Sequence, residues 1–212
     1  MKNFLILPNQ LFKKKYLDKK FNFTIYEHPD FFTKYKFNKK KLVLHRASMK
    51  YYYDYLKSKK IKVKYIEFNE KLPDSNYLYF DPINKIKLKG EMIETPNFIL
   101  NKKLYEKYRE KTDKFLFTNF YMWSKKELDL YPDLKSKDKM NRERYNDKIK
   151  IPKLPLNKPD SKYINEAIKY VNKHFKKNYG TTDNFLYPIS HKTAKKWLKD
   201  FIKKRLNNFG PY

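Results

Sequence analysis

The first 70 residues combine short apolar runs with one long segment of helical period. The nearly all-apolar run at residues 2–7 predicts a strand that is buried on both faces, as in a parallel sheet. Residues 22–27 and 61–68 predict two further strands. Residues 38–59 place apolar side chains three and four positions apart, which predicts a long helix. Strand, strand, helix, strand is typical of a doubly wound α/β fold with right-handed crossovers.

Shorter elements are predicted in the middle of the chain. Short extended segments are expected at residues 77–80, 86–88 and 91–95. Asn101 is a suitable N-cap for a helix that runs to Arg109, and residues 115–128 predict a helix rich in aromatic side chains. Residues 129–160 combine prolines and charges with little periodicity, which indicates a long connecting loop.

Two amphipathic helices are predicted after this loop, with Ser161 and Ser190 as their N-caps. The second helix carries an apolar stripe formed by Ala194, Trp197, Leu198, Phe201, Ile202 and Leu206. A stripe of this size indicates a surface that packs on the preceding residues or on a partner polypeptide.

Together these elements predict a Rossmann-like α/β fold, an open parallel sheet flanked by helices with a C-terminal helical extension. The expected boundaries are an α/β domain at residues 1–128, a connector loop at 129–160 and a helical segment at 161–212.

The composition adds a large positive charge. Lys and Arg number 51 against 23 Asp and Glu, which gives a formal net charge of +28. One interpretation is a polyanionic partner such as DNA, bound non-specifically and with strong salt dependence. The other is an AT-rich coding sequence, such as that of some viruses, which inflates Lys, Asn, Ile, Phe and Tyr together. Both interpretations stay open from the sequence.

Several kinds of chemistry are excluded or disfavoured by the residues present. The chain has no Cys, so it can form neither a disulfide nor a cysteine-held iron–sulfur cluster, and its 3 Gly argue against a phosphate-binding glycine loop. The four His lack metal-ligand spacing. No pattern indicates a nucleophile with its base, so catalysis by this chain alone is not expected. The first apolar run is too short for a signal peptide or a membrane span, so a soluble intracellular protein is expected.

Eight segments, taken in order, resemble one protein family. They are Phe4-Leu-Ile-Leu-Pro-Asn-Gln-Leu11, Tyr26-Glu-His28, Tyr35-Lys-Phe-Asn-Lys-Lys-Lys-Leu-Val-Leu-His-Arg-Ala-Ser-Met49, Glu94-Thr-Pro-Asn-Phe98, Phe120-Tyr-Met-Trp123, Asp138-Lys-Met-Asn-Arg142, Asp183-Asn-Phe-Leu-Tyr-Pro188 and Asn208-Phe-Gly-Pro-Tyr212. The family is that of the deoxyribodipyrimidine photolyase-related proteins, the iron–sulfur group of prokaryotic photolyases and cryptochromes. The chain departs from it where Pro8-Asn9 replaces Gly-Asp and where Leu134-Lys-Ser-Lys137 replaces Gly-Gly-x-Trp.

The resemblance implies an antenna-type domain with a lumazine-type chromophore at the carboxyl ends of the first strands. By this resemblance Asn9 and Gln10 supply amide hydrogen bonds, Glu27 accepts from ring N–H or ribityl hydroxyl groups, and Leu11 and Tyr35 form apolar walls. The alternative is structural: Asn9 and Gln10 cap the turn, and Glu27 pairs with a nearby Lys. FAD and the iron–sulfur cluster are expected only in a C-terminal, flavin-binding part of the family's length that these residues do not cover.

Two further pairs have both a functional and a structural interpretation. His45 and Arg46 form either a clamp for an anionic ligand or a structural pair, with His45 bonded to a backbone carbonyl and Arg46 solvated. The structural interpretation is preferred. Asn141 and Arg142 in the connector face DNA or the domain junction if the resemblance holds, and are otherwise solvated.

The leading hypothesis is the N-terminal, antenna-type domain of a photolyase-related protein that lacks the flavin half and is not a complete DNA photolyase by itself. Its expected partners are DNA and a separately encoded flavin-binding polypeptide that docks on the C-terminal helix. The alternatives are a flavin-free, basic nucleic-acid-binding protein and an inactive fragment.

Overall fold

Five short parallel strands form one sheet in the computed structural model, which describes residues 2–112, 114, 116–131, 133, 147–153 and 161–206. The strands are β1 (Asn3–Ile6), β2 (Asn22–Tyr26), β3 (Val63–Ile66), β4 (Tyr77–Phe80) and β5 (Gly90–Ile93). Their order is β3-β2-β1-β4-β5, and every neighbouring pair is parallel. The predicted Rossmann-like α/β class is confirmed.

Helices accompany this sheet. They are α1 (Pro29–Phe32), α2 (Lys39–Ser58), α3 (Lys102–Arg109), α4 (Phe117–Glu127), α5 (Ser161–His174) and α6 (His191–Lys204), with a 3-10 turn at Lys14–Tyr16. A side chain caps the start of three of them, and two of these caps, Asn101 and Ser190, were predicted. The Oδ1 atom of Asn38 accepts from Lys40 N at 2.8 Å, that of Asn101 accepts from Leu104 N at 2.9 Å, and Ser190 Oγ accepts from Thr193 N at 3.2 Å. Each of these bonds satisfies one of the free N–H groups at a helix start.

The helix α2 forms because its apolar positions fall on one face, which packs on the sheet. Leu42, Val43, Ala47, Met49 and Leu56 on that face are fully buried. Burial of a Leu, Val or Met side chain contributes about 1.5–3 kcal/mol relative to exposure, so this face accounts for much of the stability of the helix.

Aromatic rings fill the core between the strands and α2. The ring of Phe4 lies 5.4 Å from that of Phe23 and 5.1 Å from that of Phe80, and Phe12 meets Phe80 at 5.2 Å. Edge-on and tilted contacts at these distances are favourable for aromatic pairs. Part of the large Phe content of the sequence is therefore used in packing around β1.

The described residues group into two compact units. The first contains residues 1–95 and 154–201, and the second contains 96–153 and 202–212. In the first unit α5 packs along α2, and its Ala167 and Val171 are fully buried. The predicted domain boundaries, which assign residues 161–212 to a separate helical segment, stay a prediction. Most of the predicted connector at 129–160 lies outside the described residues.

The fourth and fifth strands differ in detail from the prediction. Residues 77–80 form β4, which is an internal strand between β1 and β5. The predicted segment at 86–88 is not a strand. The last strand starts at Gly90, whose φ is 138° and where a Cβ would lie 1.9 Å from Tyr77 O. Only glycine fits at this position, so β5 can approach β4 there.

Candidate ligand-binding site

The turn after β1 is fixed by the buried amide of Gln10. Its Nε2 donates to Phe80 O at 2.8 Å and to Asp81 O at 3.2 Å, while its Oε1 accepts from Leu7 N at 3.4 Å. Both ends of the amide thus bond to backbone, so Gln10 joins the carboxyl end of β1 to that of β4. These bonds are the ones expected if Gln10 caps the turn, which is the structural alternative. The role of Gln10 in ligand binding stays a prediction.

Asn9 and His45 both line a cleft beside this turn, and each has one unsatisfied polar atom. Asn9 Nδ2 donates to Pro82 O at 3.2 Å, but Asn9 Oδ1 and His45 Nε2 are buried without a hydrogen-bond partner among the described residues. The cleft has a volume of about 310 Å³, and its walls include Leu11, Phe12 and Leu44. Buried polar atoms are nearly always paired, so two unpaired ones in residues of the same cleft make this cleft a candidate ligand site.

His45 is held neutral at physiological pH. Its ring lies 6.0 Å from each of the rings of Phe31 and Phe32. Burial, with a smaller contribution from the charge of Lys41, lowers the pKa of His45 to about 4. A neutral imidazole can present Nε2 as a donor or as an acceptor, depending on its tautomer.

A second, mainly apolar cleft of about 200 Å³ adjoins the first, because Leu11 and Ser48 line both. Tyr52 and His191 contribute to its walls and fix the loop beside it. The Tyr52 hydroxyl donates to Phe12 O at 2.6 Å, and His191 Nε2 lies 2.8 Å from Leu11 O. The start of α6 is thereby tied to the turn that carries Leu11.

Glu27, at the end of β2, is completely buried and has four donors. Its Oε1 accepts from Arg46 Nη1 at 2.9 Å and from the Tyr65 hydroxyl at 2.6 Å. Its Oε2 accepts from the Tyr170 hydroxyl at 2.9 Å and from Phe68 N at 3.2 Å. The carboxylate has about four lone-pair sites, so a ligand that bonds to Glu27 must displace one of these donors. The predicted ligand contact of Glu27 stays a prediction.

Arg46 is the centre of this network. It pairs with Glu27 at 2.9 Å, Glu67 at 2.8 Å and Glu166 at 2.6 Å, and its guanidinium lies 3.8 Å from the centre of the Tyr170 ring. The interpretation of Arg46 as solvated was wrong, because only 4% of its side chain is exposed. The structural alternative expected a Lys as the partner of Glu27, whereas in the structure Arg46 is its partner.

The charges of the network shift the titration of its members. Burial opposes the charge on Arg46, but hydrogen bonds to Glu166 and Glu27 outweigh this effect and raise the pKa of the guanidinium. Burial, followed by the charge of Glu27, raises the pKa of both the Tyr65 and Tyr170 hydroxyls. Both hydroxyls therefore remain protonated donors to Glu27.

The remaining predicted site residues lie elsewhere or outside the described residues. Tyr35 is 64% exposed and packs edge-on against Phe37 at 5.6 Å, so it is not among the residues that line the two clefts. Asn141 and Arg142 lie outside the described part of the chain. His45 does not bond to a backbone carbonyl through Nε2, contrary to its structural interpretation.

The described residues hold neither a candidate metal site nor a candidate membrane span. Among these residues, no group of three or more His, Asp or Glu side chains is placed to hold a metal ion. Nor does any described helix combine the length and the apolar character that crossing a bilayer requires.

A parallel sheet with a ligand-sized cleft at the carboxyl end of β1 defines a Rossmann-like α/β protein with its site in the usual position for that fold. The chain belongs to the deoxyribodipyrimidine photo-lyase-related protein family, whose family model matches residues 4–81 and 78–187. An uncharacterized protein, R852 of Acanthamoeba polyphaga mimivirus, is 29% identical over 194 residues, which cover 71% of this chain and 99% of that protein. The assignment to the iron–sulfur group within the family stays a prediction.

Proposed function

We propose that this photolyase-related protein acts as an antenna-type domain and binds a planar heteroaromatic chromophore of the lumazine type in the cleft beside Asn9 and His45. The observation that carries the proposal is the pair of buried, unsatisfied atoms, Asn9 Oδ1 and His45 Nε2, which belong to two residues that line one cleft. A structural role alone does not account for leaving both atoms without a partner, because each unsatisfied buried group costs about 1–3 kcal/mol.

The cleft has the chemistry that such a ligand requires. Asn9 Oδ1 can only accept a hydrogen bond, as from a ring N–H, and the neutral imidazole of His45 can donate to a ring carbonyl or accept from a second N–H. Leu11, Phe12 and Leu44 offer apolar contacts to the ring faces. The adjoining apolar cleft along Tyr52 gives room for a side chain of the ligand.

In this proposal Glu27 and Gln10 hold the elements that carry the ligand-binding residues. Gln10 holds the turn that carries Asn9, through its bonds to Phe80 O and Asp81 O. Glu27 orders the Arg46 side chain of α2, the helix that also presents His45. Both residues therefore stabilise the elements that form the cleft.

The test is a titration of the purified chain with 6,7-dimethyl-8-ribityllumazine, followed by the fluorescence of the ligand. We expect saturable binding that weakens by about tenfold in His45→Leu and in Asn9→Ala, since each change removes about one buried hydrogen bond to the ligand. Asn178→Ala is the matched control, because Asn178 Nδ2 also donates to a backbone carbonyl, Phe37 O at 2.8 Å, but does not line the cleft.

Three outcomes decide the matter. Binding that is weakened in the two cleft variants and unchanged in Asn178→Ala supports the proposal. An absence of any change in ligand fluorescence contradicts it, as does binding that all three variants weaken equally.

A second candidate function is binding to nucleic acid, which the formal net charge of +28 favours. The first unit shares in this charge, with exposed lysines such as Lys192, Lys195, Lys196 and Lys199 on α6. In a photolyase-related protein the two candidates are compatible, since an antenna domain works beside DNA. The test of this second candidate is the salt dependence of DNA binding.

A further inference from the structure

The face of the sheet opposite α2 carries polar side chains at its amino half. Tyr65 lies on the α2 face, where its ring meets Lys50 Nζ at 4.2 Å and its hydroxyl bonds to Glu27. Successive residues of a strand point to opposite faces, so Lys64 lies on the other face. Thr24 is aligned with Lys64, and Asn3 with Asn22. These four side chains therefore share one face of β1, β2 and β3.

The amino half of this face carries a groove, whereas Leu5, which lies on the same face, is completely buried. Parallel sheets are normally buried on both faces by crossover helices. Here the connections from β3 to β4 and from β4 to β5, residues 67–76 and 81–89, are fully described and contain no helix. They leave a groove of about 610 Å³ over the amino half of the sheet. We call it the amino-end groove; it is lined by Asn3, Asn22, Thr24, Lys62, Lys64 and Ser75, among others.

Thr24 is the most informative residue of the amino-end groove. Only 8% of the residue is exposed and its hydroxyl makes no hydrogen bond to a described residue, but the oxygen is not among the fully buried unpaired atoms, so it is open to the groove. A hydroxyl that faces a groove and has no protein partner is available to bond to a polar occupant.

The rest of the amino-end groove supplies cations and further hydrogen-bonding groups. Lys62 and Lys64 are exposed, and within the described residues neither forms an ion pair. Asn3 Nδ2 donates to Ser75 Oγ at 2.8 Å, which leaves the Ser75 hydroxyl hydrogen free to donate in turn. The acidic rim residue Asp74 pairs with Lys89 at 2.8 Å, so it does not cancel the charge of the two lysines.

We propose that the amino-end groove binds a small phosphate ester with a hydroxylated body, such as a sugar phosphate or a mononucleotide. Lys62 and Lys64 meet the phosphate, while Thr24, Asn22 and Ser75 bond to hydroxyl or amide groups of the body. The volume lies within the range of about 300–1,000 Å³ that small-molecule sites occupy. This site lies at the opposite end of the strands from the cleft of Asn9 and His45, and it does not depend on the function proposed there.

The lysines also have an ordinary explanation, because an edge strand such as β3 often carries Lys to prevent edge-to-edge pairing. The experiment must therefore separate a site from scattered charge. The probes are ribose 5-phosphate, adenosine 5′-monophosphate and inorganic phosphate, each titrated by calorimetry into the full chain at one fixed ionic strength. Heteronuclear NMR of the same samples locates the perturbed amides.

The variants are Lys62→Gln with Lys64→Gln, Thr24→Val, and the control pair Lys176→Gln with Lys177→Gln. The control removes the same charge from two exposed lysines that do not line the amino-end groove. We expect at least about tenfold weaker binding of a phosphate ester in the Lys62/Lys64 variant, about three- to tenfold weaker binding in Thr24→Val, and no change in the control. Thr24→Val should fold at least as stably as the parent, since the hydroxyl it removes has no partner.

Binding of either ester with this pattern, and amide shifts at residues 3, 22–24 and 62–64, would support the site. Binding of inorganic phosphate alone, equal losses in the groove and control lysine pairs, or no saturable binding would each overturn it.

Discussion

His45 shows how one side chain couples the candidate cleft to pH. In the folded protein its pKa falls from 6.5 to about 4, chiefly because burial disfavours the charged imidazole. The unfolded chain therefore binds the proton more readily between these two values. His45 contributes its full stability above pH 6.5, and that contribution is lost as the pH falls towards 4. The loss amounts to about 3 kcal/mol, from about 1.4 kcal/mol per pKa unit.

We predict that His45→Leu flattens the pH dependence of stability in this window. Urea unfolding at pH 7 and at pH 4.5 gives the comparison, and the parent should lose about 2 kcal/mol more than the variant between them. His174→Leu, which removes an exposed histidine, is the control and should follow the parent. Equal pH dependence in the parent and in His45→Leu would contradict the buried, neutral state of this residue.

Single side chains also decide which ligand groups the cleft of Asn9 and the amino-end groove can bind. Asn9 has one buried polar atom without a hydrogen-bond partner, Thr24 has a hydroxyl that is open to the amino-end groove, and the two sites that these residues line lie at different ends of the strands. Gln10 lies next to Asn9 in the chain but has both amide ends bonded to backbone. Neighbouring amides thus have separate roles, one in holding the turn and one in facing the cleft.

Among the elements, Arg46 joins the ends of β2 and β3 to the helices α2 and α5. Its partners are Glu27 after β2, Glu67 after β3 and Glu166 on α5. Glu27 is fully buried, whereas the side chain of Glu166 is 42% exposed. Removal of a charge from a buried pair leaves the other charge uncompensated, while loss of an exposed pair costs little.

We predict that Arg46→Met lowers the free energy of unfolding by about 3–5 kcal/mol, because Glu27 then remains buried without its counter-charge. Glu166→Gln should cost less than about 1 kcal/mol, since solvent screens that pair. Urea denaturation measures both changes. The double variant Glu27→Gln with Arg46→Met should recover part of the loss, and a cost in Arg46→Met no larger than that of Glu166→Gln would refute the buried ion pair.

Elements with a strong local signal were predictable from the sequence. The helix predicted at residues 38–59 is α2, and it could be predicted because its apolar period and its start at Asn38 are local signals. The strand β1 could be predicted from the apolar run at residues 2–7 for the same reason. The position of β5 was less certain, because it depends on Gly90 passing the backbone of Tyr77, a contact between segments distant in sequence.

The candidate sites were predictable only in part. Asn9 and Leu11 were found through the turn after β1 and through the family resemblance, and both line a cleft. The Arg46 network was missed because its pairs join residues 19 and 120 positions apart, for which no motif exists. The amino-end groove was missed because it follows from strand register, which the sequence does not specify for short strands.

For the molecule as a whole, the dominant property is the formal net charge of +28. Lysines occur on most of the described surface, including α2, α6 and the loops of the sheet. If this charge binds DNA, the affinity comes from the release of counterions from phosphates and carries no sequence preference.

We predict that the chain binds a 20-nucleotide DNA of arbitrary sequence, with an affinity that falls by about 10³-fold or more between about 50 and 200 mM salt, as expected for contacts to about six or more phosphates. Fluorescence anisotropy with a labelled strand measures the salt slope.

Removal of four lysines from α6, at Lys192, Lys195, Lys196 and Lys199, is compared with removal of Lys13, Lys14, Lys19 and Lys20 near β1. If the charge acts as a distributed field, both variants lower the slope by similar amounts. A loss confined to one set would instead assign DNA binding to that surface, and a slope near zero would leave the charge as a product of base composition.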